Sequence, residues 1–234
     1  LHGRLPWGQL LQPAIELADG GFALSPRLHT QLQGDTALRQ DAQAAAHFYR
    51  ADGTPHPVGH RLRNPALAAV LRRIATHGSM ALHEGPVAAD IVARVQGHRA
   101  NPGRLTLADL AGYQPRLREP ICSDWLARYR VCGMPPPSSG HLAVMQILGL
   151  LERAPAPPQP LAAGVPSADW LHVYAEAARL AFADRALHVA DPDFTAAPGG
   201  RWTSLLDDAY LRERAALIGP RSLGSARPGT PPGA

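Results

Sequence analysis

The chain has 234 residues, 45% of them hydrophobic and 18% charged, a composition that supports a buried core and argues against global disorder. The formal net charge is +4, and every one of the 23 basic residues is arginine. These arginines are scattered among acidic residues rather than clustered beside aromatic ones, so no nucleic-acid partner is expected. No stretch reaches the roughly 18 consecutive apolar residues that a membrane span needs, so none is predicted in this segment.

The first half of the chain is predicted to be helical. Apolar residues recur there at helical spacing, and glycine or proline separates one run from the next. Ser25 and Asn64 each stand directly before a proline, which is typical of a capped helix start, and Thr106 with Asp109 forms a variant of the capping box. The predicted helices cover residues 5–19, 25–33, 41–49, 64–77, 79–84, 85–96 and 106–112.

The hydrophobic period changes in the second half. Residues 114–122 and 128–133 are predicted to form two strands. Two strands alone do not make a stable sheet, so we expect this hairpin to join strands that other polypeptide supplies. A Pro/Gly/Ser-rich tail at 219–234 has no periodicity and is predicted to be flexible. The other predicted elements are a rigid triproline turn at 134–140 and helices at 141–151, 167–190 and 204–218.

The two cysteines, Cys122 and Cys132, flank the predicted hairpin. Two cysteines are too few for a disulfide scaffold, and their spacing does not match a metal site. A disulfide between them is one alternative. Two separate thiols are the alternative that the sequence favours.

Several histidines have spacings that suggest metal chemistry. His56 and His60 are four residues apart, but a proline and a glycine between them break the helix that would align the rings, so they are interpreted as loop histidines. His83-Glu84 begins a zinc-protease string, yet Val87 stands where the second histidine would be needed. We therefore predict no metal ligand and no cofactor-binding residue.

Ser138 and Ser139 are the candidate nucleophiles. A nucleophilic serine needs a base and a group that orients the base. His141 is two residues from Ser139, a separation that points the two side chains apart on a helix. We expect one serine to cap the following helix and the other to bond local backbone.

Asp184-Arg185 lies inside the longest predicted helix and could bind a substrate. Neighbours in sequence do not face each other on a helix, so each side chain needs another partner, and a structural ion pair between elements is the favoured interpretation. Asp191-Pro192-Asp193 follows the helix and is read as a turn. No set of residues forms a self-sufficient active site by spacing, so no catalytic residue is predicted and the substrate-binding residues stay unknown.

Taken together, the motifs resemble the large subunit of γ-glutamyltransferases (γ-glutamyl transpeptidases). They keep the family's order and cover the chain from Leu5 to about Tyr210. The run Pro135-Pro136-Pro137-Ser138-Ser139-Gly140 is the most specific of them. The other matching strings are Leu5–Trp7, Gln12–Ala18, Gly21-Phe22, Ser25–Leu28, Asn64–Ala68, Gly85–Ala88, Leu105–Leu110, Phe182–Arg185 and Asp191–Phe194.

The resemblance implies an α+β, N-terminal-nucleophile hydrolase fold, an αββα sandwich of which this chain supplies mainly the helical part and a β-hairpin. Residues 1–218 would form a partial large-subunit domain, and 219–234 would be the tail before an autocleavage point. In this family a precursor cuts itself and exposes a threonine at the start of the small subunit. Its hydroxyl attacks the γ-glutamyl amide of a glutathione-type substrate, its own amine acts as base, and the acyl-enzyme passes to water or to an acceptor amine.

The departures from the family pattern limit what carries over. The chain has no Thr-Thr-His string, and Arg227-Pro228-Gly229 resembles the segment just before that string. The partner would be a small subunit or remaining chain carrying the threonine, and the lone chain is predicted inactive. Residues 1–15 already have the pattern of the middle of a domain, so the natural N-terminus and the family's substrate-binding arginine are expected upstream.

The alternative functions, the compartment and three unusual residues complete the comparison with the family. A non-catalytic truncated remnant or binding module, and a related acylase acting on another acyl amide, are the alternative functions. The family is commonly periplasmic or secreted. His141 replaces a usual glycine, and His83-Glu84 stands where an aromatic pair is common.

Overall fold

The computed structural model of the chain describes residues 3–157 and 159–234. The chain divides into two compact units, unit 1 at Leu1–Pro115 and unit 2 at Arg116–Ala234. Helices dominate, and the described strands form short antiparallel pairs, so the fold is α+β. Within the described ranges, no helix combines the length and the apolar character that crossing a membrane requires.

Unit 1 is a set of short helices. In its described residues these are α1 (Trp7–Gly20), α2 (Pro26–Gly34), α3 (Ala42–Phe48), α4 (Pro65–His77), α5 (Met80–His83), α6 (Gly85–Gln96) and α7 (Leu107–Ala111), with a two-residue ladder of β1 (Phe22–Ala23) and β2 (Arg61–Leu62). Helix α1 packs on α4, where the Trp7 indole N–H donates to the Ile74 carbonyl over 2.9 Å. A second apolar cluster joins Leu24, Leu32, Tyr49 and Leu62.

The predicted helix starts of unit 1 are confirmed. The side chains of Ser25, Asn64 and Thr106 each accept a hydrogen bond from the backbone N–H three residues further on. The Asp109 carboxylate returns a bond to the Thr106 N–H, which completes the capping box. These starts depend only on neighbouring residues, which is why the sequence was sufficient to find them.

Unit 2 holds a hairpin, three helices and the tail. Its described elements are β3 (Ile121–Trp125), β4 (Tyr129–Gly133), α8 (Gly140–Arg153), β5 (Leu161–Ala162), β6 (Val165–Pro166), α9 (Ala168–His188) and α10 (Asp208–Ala215). Helix α8 packs against both α9 and α10. The principal apolar core contains Ile147, Leu150, Ala154, Ala177, Leu180, Ala181, Leu211, Ala215 and Ile218.

The hairpin begins later than the sequence predicts. Residues 114–120 form no strand, because Pro115 and Pro120 lack the N–H that a ladder needs. The strand instead continues to Trp125, because the turn takes only residues 126–128. Leu126 and Ala127 have positive φ, 52° and 50°, a backbone conformation that occurs in tight hairpin turns.

A disulfide joins Cys122 to Cys132. The antiparallel register places the two residues directly opposite each other, with their Cα atoms 4.1 Å apart. The expectation of two separate thiols is therefore wrong. The pairing depends on strand register, about which the number of cysteines says nothing.

Candidate functional site

Helix α9 buries two carboxylates along one stripe. Glu176 is 1% exposed and Asp184 is 0% exposed, and they share the stripe with Ala177, Leu180 and Ala181. A buried carboxylate is costly unless it is paired and hydrogen-bonded. The hydrogen-bond and ion-pair partners of Glu176 and Asp184 therefore show which segments of unit 2 are joined by polar contacts.

Asp184 accepts hydrogen bonds at both of its oxygens. The Gln146 amide and the Tyr210 hydroxyl donate to Oδ2 over 2.5 and 2.8 Å. The Arg214 Nη2 and the Gly229 backbone N–H donate to Oδ1, each over 2.8 Å. We call Gln146, Asp184, Tyr210 and Arg214 the Asp184 cluster; it draws on three helices and closes on a backbone group of the tail.

Arg214 connects the Asp184 cluster to the tail a second time. Its Nη2 also donates to the Arg227 carbonyl over 2.9 Å and to the Leu180 carbonyl over 3.3 Å. Burial, and then the nearby charge of Asp184, raise the pKa of Tyr210 well above its ordinary value. Tyr210 therefore stays a protonated donor at neutral pH, and the cluster keeps its full set of hydrogen bonds.

Glu176 holds the beginning of the tail. Its carboxylate accepts the Leu223 N–H over 3.0 Å and the Ser222 hydroxyl over 2.9 Å, and it pairs with Arg179. Burial acts to raise the pKa of Glu176, but these three partners outweigh it and hold the pKa below its ordinary value. Glu176 is thus a second anion that binds tail backbone.

The tail has a defined course at further points. The His172 Nε2 lies 2.7 Å from the Gly219 carbonyl, and the Gly199 N–H donates to the Gly233 carbonyl over 3.1 Å. Pro231 is fully buried. Most of these contacts use the tail's backbone atoms, which leave no periodic pattern of side chains in the sequence.

The triproline turn and the Asp184-Arg185 string meet in unit 2. The Arg185 Nε donates to the Ser139 Oγ over 2.6 Å. Ser139 adopts a helical backbone conformation and makes no side-chain cap bond, so Ser139 is not a serine that caps the following helix. Its hydroxyl instead fixes a guanidinium that also lies over the Phe182 ring. The favoured interpretation of Asp184, an ion pair between elements, is confirmed by Arg214.

His141 lies beside Ser123 rather than Ser139. Its Nε2 is 3.2 Å from the Ser123 Oγ, and burial lowers the pKa of its imidazole. A Cβ on Gly133 would lie only 2.7 Å from the His141 Cβ, so the glycine makes room for the ring. Among the described residues no carboxylate bonds the His141 Nδ1, so the orienting third group of a catalytic arrangement is not found there.

The remaining sequence candidates have local roles. His56 and His60 stack with their ring centroids 3.9 Å apart. The Asp191-Pro192-Asp193 turn is confirmed by the bond from the Asp193 N–H to the Asp191 carboxylate, and Arg118 pairs with both acids. The His83 ring stacks on Tyr113, and its Nδ1 bonds a backbone carbonyl. In the described residues, no group of three His, Cys, Asp or Glu side chains is placed to hold a metal ion.

The sequence analysis did not identify Gln146, Glu176, Tyr210, Arg214 or Gly229 as members of a site. A usable signal was the position of Glu176, an acid within the apolar stripe of α9. The arrangement binds main chain: carboxylates accept tail N–H groups, and Arg214 donates to a tail carbonyl. These hydrogen bonds therefore hold the tail in position.

Comparison with known proteins agrees with the motifs. The family described as Gamma-glutamyltranspeptidase matches residues 1–232. An Acylase ACY 1 proenzyme of Pseudomonas sp. (strain V22) is 39% identical over 92% of this chain, and a glutathione hydrolase proenzyme of Pseudomonas aeruginosa is 35% identical over 98% of it. The chain spans only 37% and 40% of the lengths of these two relatives.

Solved structures give the same result. The γ-glutamyltranspeptidase of Helicobacter pylori superposes with a TM-score of 0.78 and 29% identity, covering 98% of this chain and 64% of that one. A cephalosporin acylase from Bacillus halodurans superposes with a TM-score of 0.76 and 29% identity, covering 99% and 41%. The predicted N-terminal-nucleophile hydrolase fold class is thereby confirmed. The chain belongs to the gamma-glutamyltranspeptidase family.

Proposed function

We propose that the chain is the large-subunit portion of an enzyme that transfers or hydrolyses γ-glutamyl groups. The observation that carries this proposal is the family match over residues 1–232, in a chain without the Thr-Thr-His string and 37–40% as long as its relatives. The nucleophilic threonine is then supplied by polypeptide outside these 234 residues, as a small subunit or remaining chain.

In this proposal the complete enzyme works through a covalent intermediate. The threonine hydroxyl attacks the γ-glutamyl amide carbonyl, while the threonine's own amine takes up the proton. The amine of the substrate leaves, and water or an acceptor amine then attacks the ester. The substrate class is a small γ-glutamyl amide such as glutathione. The present chain contributes scaffold, in residues 1–218, and the segment before the cut, in residues 219–234.

The proposed compartment is the periplasm or the cell exterior. The disulfide between Cys122 and Cys132 supports it, because structural disulfides persist mainly in oxidising compartments. Fractionation of the native host, followed by thiol labelling before and after reduction, tests this. Free thiols in a cytoplasmic fraction would remove the support.

The function is tested with the full-length gene product and with residues 1–234 alone. We expect the full-length protein to self-cleave into two chains and to hydrolyse a γ-glutamyl anilide. The lone chain should give no turnover above background, since it holds no such threonine. Turnover by the purified lone chain would refute the proposal, and an uncleaved, inactive full-length product would favour the non-catalytic remnant or binding module.

A second candidate activity is that of a related acylase. It is favoured by the 39% identity to a relative named as an acylase proenzyme and by the similarity to a cephalosporin acylase. The full-length protein should therefore also be assayed on a glutaryl amide. A higher kcat/KM on the glutaryl amide than on the γ-glutamyl anilide would select the acylase.

A further inference from the structure

From Leu223 onward, the tail is held at three successive points along unit 2. Leu223 is bound by Glu176, Gly229 is bound by the Asp184 cluster, and Gly233 is bound by Gly199. The first two points lie on α9, where Glu176 precedes Asp184 by eight residues. The tail therefore runs beside α9 in the same direction as the helix, toward the helix's C-terminal end.

The spacing of the first two attachment points is within easy reach of the tail. Eight helical residues rise by about 12 Å. The six-residue step from Leu223 to Gly229 spans at most about 20 Å when it is fully extended, and it includes a turn in which the Ser225 N–H donates to the Leu223 carbonyl. The tail therefore joins both points without strain, and the position of Glu176 and Asp184 on one helix sets the course of the chain that follows.

The middle attachment point binds backbone atoms on both sides of one residue, Pro228. The Asp184 carboxylate accepts the Gly229 N–H, and Arg214 donates to the Arg227 carbonyl. The His188 Nε2 lies 2.8 Å from the Gly229 carbonyl, a bond that requires the proton on that nitrogen. One acceptor and two donors therefore fix the position and the direction of residues 227–229.

Gly229 is required by this close approach. A Cβ at position 229 would lie 2.5 Å from the Tyr210 hydroxyl oxygen and 2.8 Å from the Arg214 Cδ. Tyr210 and Arg214 are both buried, so neither can move aside easily. Any side chain at position 229 would push the tail away from the Asp184 cluster, whereas a side chain at Gly219 would meet open space.

We propose that Asp184, Arg214 and His188 are positioning residues for the self-cleavage of the precursor, acting through the backbone of residues 227–229. The inference rests on the proposed function, because it requires a downstream threonine. In that reaction the threonine oxygen attacks the carbonyl carbon of the preceding residue, and the peptide C–N bond breaks. The hydroxyl proton passes to the released amine, and water then hydrolyses the ester to leave a carboxylate and an N-terminal threonine.

The attachment acts by limiting where the scissile peptide can lie. A nucleophile and a carbonyl react fast only when they are held in the correct geometry, and a misplacement of 1 Å can cost about a hundredfold in rate. A chain fixed at 227–229 and again at Gly233 delivers the following residues to one place. Loss of the middle point leaves the chain beyond residue 229 attached only through Gly233. A single attachment fixes a position but does not fix the direction in which the chain leaves it, so the following residues can reach several places.

The test uses the full-length protein and a matched pair of glycine substitutions. Gly229→Ala leaves every side chain of the Asp184 cluster intact but displaces the tail, and Gly219→Ala is the control in the same tail. We expect Gly229→Ala to slow self-cleavage by about tenfold or more, and Gly219→Ala to cleave as the wild type does. The melting temperature of each uncleaved protein, measured on freshly purified precursor, should remain above the assay temperature, because the buried ion pair between Asp184 and Arg214 is retained.

A second variant guards against a folding defect at position 229. His188→Phe removes the donor to the Gly229 carbonyl without touching the buried Arg214–Asp184 pair or adding an atom at position 229, so it should also slow cleavage. Exchange of the Gly229 amide hydrogen in the wild type should be slow, and Gly229→Ala should accelerate exchange at residues 227–229 while leaving α8 unchanged. A lower melting temperature with a wild-type rate of self-cleavage would show a structural role only. Slower self-cleavage at an unchanged melting temperature would show that the residue positions the tail.

The two failures are distinguishable. A wild-type precursor that never cleaves overturns the proposed function, and the inference with it. A wild type that cleaves, beside a Gly229→Ala variant that cleaves equally fast, overturns only the positioning role. Fast exchange of the wild-type Gly229 amide would overturn it as well, because the attachment would then not persist in solution.

Discussion

One arginine–aspartate pair in unit 1 and one in unit 2 differ mainly in burial. In unit 1, Arg72 pairs with Asp19 while their side chains remain 52% and 41% exposed. In unit 2, Arg214 pairs with Asp184 at 5% and 0% exposure. A surface pair contributes little to stability, whereas removing one partner of a buried pair leaves an uncompensated charge in the interior. Both are arginine–aspartate ion pairs, and their burial decides how much stability is lost when one partner is removed.

The buried pair offers the largest expected effect. Arg214→Met should destabilise unit 2 by about 3–5 kcal/mol, because it strands the Asp184 carboxylate. Hydrogen exchange of the α9 amides under increasing urea would measure the change in unit 2. The double variant Asp184→Leu with Arg214→Met should recover much of the loss, since it removes both charges. A single variant as stable as the wild type would show that the buried pair does not hold unit 2 together.

Glu176 gives a smaller effect that depends on pH. Its pKa is lower in the folded chain than the ordinary value of 4.5, so its contribution is complete above about that pH and is lost as pH falls through the folded pKa. Glu176→Gln should cost about 1 kcal/mol at neutral pH, the difference between charged and neutral hydrogen bonds.

The matching measurement is the stability of wild type and Glu176→Gln from pH 7 down to pH 3. The gap between the two curves should be constant above about pH 4.5 and should close below it. Because the other carboxylates are common to both proteins, their titration cancels in the difference. A gap that widens as pH falls would contradict the lowered pKa.

These effects explain which parts of the molecule the sequence could predict. Ser25, Asn64, Thr106 and Ser167 cap helices by bonds to residues three positions away, so local reading was sufficient. The motifs also led to the correct family and fold class. The end of β3 at Trp125 was missed, because the turn at residues 126–128 decides it.

The Asp184 cluster could not be predicted from short sequence patterns. Its donors to Asp184 come from 26 to 45 residues away along the chain, on α8, α10 and the tail. No spacing rule links positions so far apart, and the tail takes part through backbone atoms, the Arg227 carbonyl and the Gly229 N–H. The buried ion pair could be anticipated in kind from Asp184, but its partner Arg214 required the three-dimensional packing of α9 and α10.

Ser139 is half-buried, so its substitution tests a case between the buried pair and the exposed pair. Ser139→Ala removes the hydroxyl that accepts from Arg185, and we expect a loss of about 1 kcal/mol in the stability of unit 2. Ser138→Ala is the control, because it truncates the neighbouring serine of the same turn. Equal losses in the two variants would mean that the turn, rather than the bond to Arg185, responds to the substitution.

The smallest expected effect is in unit 1, and it completes the comparison. Arg72→Met removes the same guanidinium as Arg214→Met does, but from a pair that water already surrounds. We expect a change of less than about 1 kcal/mol, which should shrink further as salt is added, because solvent ions screen exposed charges. Exchange of the α4 amides at low and high ionic strength measures it. A loss comparable to that of Arg214→Met would mean that burial is not what separates the two pairs.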